Sequence, residues 1–94
     1  MASENIFLAA LDTWGGEMQT LKVYEEMAEL QKELVKNALG ADNRMEIAEE
    51  IADVRIMLDQ MCVLHDCEEL AKHFRSKKLA RLWERVQEAR GEDG

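Results

Sequence analysis

Two pairs of acidic residues are the part of this sequence best suited to chemistry. Glu26 and Glu29 form the first pair, and Glu50 and Asp53 form the second. Residues three positions apart share one face of a helix, so both carboxylates of each pair are expected on the same side. Both pairs lie among apolar residues, where carboxylates are costly unless a cation neutralises them. Four ligands that offer only oxygen predict a hard divalent ion, Mg²⁺ or Mn²⁺.

The spacing of apolar residues predicts that helices position these carboxylates. A short first helix is expected over residues 3–14 and a second over residues 17–38, with two glycines between them. Apolar residues recur every three or four positions along the second helix, as a single buried face requires. Gly40 follows this helix and fits a C-terminal cap.

Two further helices are predicted from capping-box patterns, in which a polar residue precedes a glutamate by three positions. Asn43 and Glu46 open the third helix. Asp66 and Glu69 open the fourth, which extends to about Ala89.

The second and third helices are expected to run antiparallel, because the loop between them is short. With the bend between Leu39 and Arg44, Glu29 and Asp53 lie nearly level across the two helices. The two pairs are offset by only about four residues, or roughly 6 Å along the helix axis. All four carboxylates can therefore face one cavity. Either pair taken alone is better explained as a solvated helix surface, and it is the alignment of both pairs across one hairpin that favours a site.

The composition favours a small all-α domain. The chain has 94 residues and no proline, and 47% of its residues are apolar although only 5% are aromatic. We expect a four-helix bundle-type domain of antiparallel helices over residues 1–90, followed by a flexible tail over residues 91–94. The third helix is apolar on more than one side, and one short chain has too few other helices to bury all of that apolar surface. The sequence therefore predicts that homo-oligomerisation completes the bundle.

The charge of the chain restricts its partners. A net charge of −8 argues against nucleic-acid binding, which requires a basic surface. No apolar run reaches the roughly 20 residues that span a bilayer, so no membrane partner is expected. The start of the chain lacks the pattern of a secretion signal, and two cysteines in that setting predict free thiols in a cytoplasmic protein.

Three further groups of residues are candidate sites. Cys62, His65 and Cys67 offer only three zinc ligands, and Cys62 lies on an apolar helix, so buried free thiols are the simpler interpretation. A basic cluster on the fourth helix is either a solvated face or a clamp on phosphates; it consists of Lys77, Lys78 and Arg81. Trp14 is expected in the core, with the wall of a nucleobase pocket as the alternative.

The acidic motifs resemble those of the MazG-like nucleoside triphosphate pyrophosphohydrolases of the all-α NTP-pyrophosphatase superfamily. The family pattern is E-x-x-E, a spacer, and then E-x-x-D. The corresponding segments here are Glu25-Glu26-Met27-Ala28-Glu29-Leu30 and Glu49-Glu50-Ile51-Ala52-Asp53-Val54. The segment from Thr13 to Gln19 is also similar to the one that precedes the first motif in short members. The resemblance covers residues 10–65 well and the fourth helix more loosely.

The resemblance implies a function for residues 1–90. Glu26, Glu29, Glu50 and Asp53 would be the catalytic ligands of Mg²⁺. Water would attack the α-phosphorus of a nucleoside or deoxynucleoside triphosphate, which would yield the monophosphate and pyrophosphate. Family members are commonly homodimers or homotetramers, and basic residues late in the chain often bind the phosphates.

Two other functions are compatible with the same residues. A non-catalytic helical interaction or regulatory module would use the apolar surface to bind a partner. A related enzyme acting on dUTP or phosphoribosyl-ATP would carry the same metal motif. The sequence identifies neither the preferred base nor the carboxylate that orients the water.

Overall fold

The computed structural model describes residues 3–91, which form four helices and no strands. The helices are α1 (Ser3–Trp14), α2 (Gly16–Ala38), α3 (Arg44–Leu64) and α4 (Glu68–Ala89). The all-α prediction is confirmed for this part of the chain. Of the predicted tail, only Gly91 is described, and residues 92–94 lie outside the described residues.

Helices α2 and α3 form a hairpin whose two ends are tied by side-chain hydrogen bonds. At the open end, the Gln60 amide donates to the Gln19 side-chain oxygen, and the Thr20 hydroxyl lies 3.7 Å from the sulfur of Met61. Near the loop, the Asn43 amide donates to Glu33. The start of α2 therefore lies beside the end of α3.

The hairpin loop begins with a tight reversal of the backbone after α2. Gly40 has a φ of 106°, which favours glycine because it has no Cβ. The Gly40 amide donates to the Asn37 carbonyl at 2.9 Å, and the Ala41 amide donates to the Lys36 carbonyl at 3.0 Å. These two bonds form a Schellman motif and satisfy carbonyls at the end of the helix. The predicted cap at Gly40 is confirmed.

Neither predicted capping box forms. Asn43 directly precedes α3, but its amide donates across the loop to the Glu33 carbonyl at 2.8 Å and to the Glu33 carboxylate at 2.9 Å. Asp66 ends α3 instead of opening α4, because it adopts a φ of 48° and its amide donates to the Val63 carbonyl. Cys67 is the residue before α4 and makes no side-chain cap.

The helices differ greatly in how many neighbours they have. α1 packs against both α2 and α3, while α4 contacts only α3 within residues 3–91. The chain measures 52 by 36 by 24 Å along its principal axes, a markedly elongated shape. Three helices thus form one packed unit, and α4 extends from it.

Most apolar side chains lie on the surface. Val23 and Met57 are the only buried apolar residues in the described region. Twenty large apolar side chains are more than a third exposed, including Leu70, Phe74 and Leu82 along α4. The whole chain exposes 7758 Å² to solvent. No helix among residues 3–91 combines the length and apolarity needed to cross a membrane.

The positive φ of Asp66 leads to a stability prediction. We expect Asp66→Gly to stabilise the protein by about 1 kcal/mol, because glycine adopts this conformation without a steric cost. Thermal or urea unfolding at a fixed protein concentration measures the effect. Gly40→Asp, the opposite change at the equivalent position after α2, is expected to lower the Tm. A lower Tm for Asp66→Gly would mean that the Asp66 side chain makes a contact worth more than its backbone strain.

Candidate metal centre

Three carboxylates from the two acidic motifs converge across the hairpin. Glu26 on α2 and Glu50 and Asp53 on α3 each place a carboxylate oxygen within 4.8 Å of the other two. Glu26 and Glu50 are half-buried, and Asp53 is exposed. The i,i+3 spacing puts the two α3 residues on one face, and the packing of α2 against α3 brings Glu26 to them. These three residues are called the acidic cluster below.

Glu29, the fourth predicted ligand, lies outside the acidic cluster. Its side chain is exposed on α2, one turn beyond Glu26. Its charge still acts on the site, since it is one of the charges that raise the pKa of Glu50. The structure thus brings together three of the four predicted ligands, with Glu29 at the edge.

Glu50 is the most unfavourably placed member of the acidic cluster. Its Oε2 atom is buried and has no hydrogen-bond partner. Burial raises the pKa of Glu50 above the ordinary value, and the negative charges of Asp53 and Glu26 raise it further. A buried oxygen without a partner, among like charges, is costly for the folded protein. A cation bound between these carboxylates would remove both costs.

Lys22 places a positive charge at the edge of the acidic cluster. Its Nζ atom lies 3.4 Å from an oxygen of Glu26 and 3.4 Å from an oxygen of Glu25. Hydrogen bonds to Glu26 and Glu25 raise the pKa of Lys22, so its charge is secure at neutral pH. Lys22 was not among the site residues predicted from the sequence. The i,i+4 spacing of Lys22 and Glu26 is the signal that would have identified it.

A mainly apolar cleft of about 420 Å³ adjoins the acidic cluster. Its lining consists of Trp14, Met18, Gln19, Leu21, Lys22, Glu25 and Met57. Lys22 belongs to this lining and also contacts Glu26, so it connects the cleft with the carboxylates. The prediction that Trp14 lies in the core is wrong, because its side chain is 61% exposed and forms part of the cleft wall.

The predicted phosphate-binding residues lie elsewhere. Lys77, Lys78 and Arg81 are exposed on α4 and line a groove of about 550 Å³ together with Phe74. In the described part of the chain, α4 makes no contact with α2, which carries Glu26. A single chain therefore does not bring this basic cluster to Glu26.

The predicted zinc alternative finds no support in the described region. The acidic cluster is the only set of three potential metal ligands that converges there, so His65 does not join Cys62 and Cys67 in such a set. Both cysteines are free thiols, as predicted, but they are half-buried and not buried.

Comparisons with known protein families, curated proteins and solved structures found no match. An acidic cluster of oxygen ligands, beside a lysine and an apolar cleft, can hold a hard cation next to a ligand that has an anionic and an apolar part.

The raised pKa of Glu50 leads to a pH-dependent prediction. A carboxyl whose pKa is higher in the folded state favours folding at low pH, and this contribution is lost as the pH rises through the folded pKa. Without divalent ions, Glu50→Gln should therefore raise the Tm at pH 7, because it removes a buried charge. The increase should shrink as the pH falls toward the ordinary carboxyl pKa of 4.5.

Asp59→Asn is the matched control, since Asp59 is exposed on α3 outside the acidic cluster. It removes the same charge and should change the Tm little. A Glu50→Gln protein that is less stable than the original at pH 7 would contradict the proposed electrostatic cost.

Proposed function

We propose that this protein hydrolyses nucleoside or deoxynucleoside triphosphates to the monophosphate and pyrophosphate in a reaction that depends on Mg²⁺ or Mn²⁺. The convergence of Glu26, Glu50 and Asp53 is the observation that carries the proposal. The resemblance of the two acidic motifs to the MazG-like enzymes supplies the reaction class.

The ligand set of the acidic cluster fits such an ion. It offers carboxylate oxygens alone, which hard divalent cations prefer over zinc or copper. The buried Oε2 of Glu50 has no protein partner and is available as a ligand. Glu26, Glu50 and Asp53 would hold the ion, which would supply positive charge to neutralise the triphosphate and to make a nearby water more acidic.

The surroundings of the acidic cluster suit the remainder of a nucleotide. The cleft wall formed by Trp14 can stack on a base, and apolar and aromatic linings are typical of small-molecule sites. Lys22 lies between this cleft and Glu26, where its ammonium group can pair with a phosphate. A nucleotide with its base in the cleft thus directs its phosphates toward the carboxylates.

Glu29 is the carboxylate best suited to accept a proton from the attacking water. It lies outside the acidic cluster, so a metal ion bound by the other three carboxylates would not need Glu29 as a ligand. It is exposed and therefore accessible to water. A carboxylate in hydrogen-bond reach of a water can orient it and take its proton as the new bond forms. Direct attack by water is favoured, because the cleft and the acidic cluster present no nucleophilic hydroxyl or thiol.

The first test is pyrophosphate release from the common ribonucleoside and deoxyribonucleoside triphosphates, with Mg²⁺ and with a chelator. We expect metal-dependent release, with the monophosphate as the second product. Glu26→Gln and Asp53→Asn should each lower kcat/KM by roughly 100-fold or more, because each removes electrostatic support for the reacting phosphates.

Asp59→Asn serves as the control, since it removes an exposed charge from α3 and should leave the rate unchanged. Circular dichroism verifies that each variant keeps its helices. Full activity in both Glu26→Gln and Asp53→Asn would overturn the proposed site. Release that continues in the chelator would overturn the metal dependence.

We further propose that the active form is a homo-oligomer, in which α4 and the exposed apolar faces are covered by other copies. A folded monomer of 10.8 kDa is expected to expose about 5,500 Å², and this chain exposes 7758 Å². The excess of roughly 2,200 Å² per chain is what an obligate homodimer interface buries. Such an assembly could bring Lys77, Lys78 and Arg81 of one copy to the acidic cluster of another.

Sedimentation equilibrium tests the assembly. We expect a mass of at least twice 10.8 kDa for the original protein. Leu82→Glu should shift the mass toward that of one chain, because it places a charge among the exposed apolar side chains of α4, which include Leu70 and Phe74. His73→Glu puts the same charge nine residues away, on the opposite side of α4, and should leave the mass unchanged. A monomeric original protein would contradict the proposal.

A non-catalytic interaction module is the second candidate, and the large number of exposed apolar side chains favours it. In that case the apolar surface binds a different protein and the acidic residues are surface charge. This candidate predicts a monomer or loose dimer with no thermal stabilisation by Mg²⁺. Stabilisation by Mg²⁺ that is lost in Glu50→Gln would favour the hydrolase instead.

A further inference from the structure

Two cysteines flank the turn that joins α3 to α4. The Cys67 amide donates to the Cys62 carbonyl at 3.0 Å, which keeps the two backbones in contact at the end of α3. Asp66, with its φ of 48°, reverses the backbone and folds Cys67 back over the last turn of α3. The turn thus brings two cysteines that are five positions apart in sequence next to each other.

The surroundings of the two thiols favour a pairing within one chain. Both are half-buried, so small oxidants can reach them more easily than a second protein can. Disulfides require Cα atoms about 4.4–6.8 Å apart, and a backbone hydrogen bond between two residues keeps their main chains in contact. No third metal ligand converges on them in the described part of the chain, so a metal does not explain the pair.

We propose that Cys62 and Cys67 form a reversible intramolecular disulfide, with a low-molecular-weight disulfide such as oxidised glutathione as the oxidant. Cys67 loses its proton to solvent, and its sulfur attacks one sulfur of the oxidant. This forms a mixed disulfide and releases one glutathione thiolate, which takes up a proton. Cys62 then loses its proton and attacks the Cys67 sulfur, which releases the second glutathione. Two protein thiols are oxidised by two electrons and one glutathione disulfide is reduced to two thiols.

The order of the two steps follows from the setting of Cys62. Burial raises the pKa of the Cys62 thiol, so it is a poor first nucleophile. Once Cys67 carries the mixed disulfide, Cys62 lies beside it, because the turn keeps the backbones of the two residues in contact. The effective concentration of the second thiol is then far higher than that of any thiol in solution.

The disulfide would act on α4. This helix contacts only α3 in the described region, so the turn between them sets its direction. A covalent link between the last turn of α3 and the residue before α4 fixes that turn. Oxidation would therefore restrict the positions that the apolar face of α4 can take.

The test uses the full chain, first reduced and then incubated with oxidised glutathione. Acid quenching, maleimide labelling and intact-mass analysis count the remaining thiols, and peptide mapping locates the bond. We expect a product of one chain with no free thiol, no bound glutathione and a Cys62–Cys67 bond. Cys62→Ser should stop at the mixed disulfide on Cys67. The original protein should retain at least about tenfold less mixed disulfide than this variant does, because its second thiol is tethered nearby.

Hydrogen exchange supplies a second measurement. Amides in the turn and first residues of α4 should exchange more slowly after oxidation of the original protein, and exchange in Cys67→Ser should be unaffected by the same treatment. Accumulation of two mixed disulfides per chain, a bond between two chains, or two thiols that stay free in excess oxidant would each overturn the proposal.

Discussion

Helices α2 and α3 meet along a narrow seam that carries very little apolar burial. Val23 and Met57 are its only buried apolar residues, and buried polar groups flank them on either side. The Gln19–Gln60 bond secures the open end, and the Asn43–Glu33 bonds secure the loop end. Because buried polar groups are costly when unpaired, these bonds favour the observed register of the two helices. That register sets the positions of the acidic cluster, the cleft and the helices packed beside them.

The same seam brings negatively charged carboxylates close enough to repel each other. Packing α2 against α3 is what brings Glu26 to Glu50 and Asp53, so the contact that builds the hairpin also creates the repulsion. Glu33 shows the alternative outcome in a neighbouring position. Its carboxylate accepts a hydrogen bond from Asn43, and that bond lowers its pKa, followed in importance by the opposing effect of burial. The pKa of Glu33, which has a hydrogen-bond donor, is thus lowered, whereas the pKa of half-buried Glu50, whose Oε2 has no donor, is raised.

Much of the fold and part of the site could be predicted from the sequence. Helix spacing and glycine positions predicted four helices and the cap at Gly40, because these depend on local backbone preferences. The predicted capping roles of Asn43 and Asp66 were wrong. The Asn43 side chain bonds instead to Glu33, a partner that only the packing of the hairpin provides, and the Asp66 amide closes the end of α3 by bonding to the Val63 carbonyl. The i,i+3 rule placed Glu50 with Asp53, whereas the separation of Glu29 from them depends on how α2 is rotated. Trp14 was misplaced because a short chain cannot bury every aromatic residue that its pattern assigns to the core.

Lys22 gives the acidic cluster a counter-ion that is covalently part of the chain. Its ammonium group can move between Glu25 and Glu26, since it is equally distant from both. A cation that binds in the acidic cluster must compete with the Lys22 ammonium group for Glu26. A singly charged ion such as K⁺ gains little electrostatic attraction by replacing that group. A doubly charged ion gains more attraction than the lysine loses, and the lysine keeps Glu25 as a partner. Lys22, four positions before Glu26, would thus make the acidic cluster select doubly charged ions over singly charged ions.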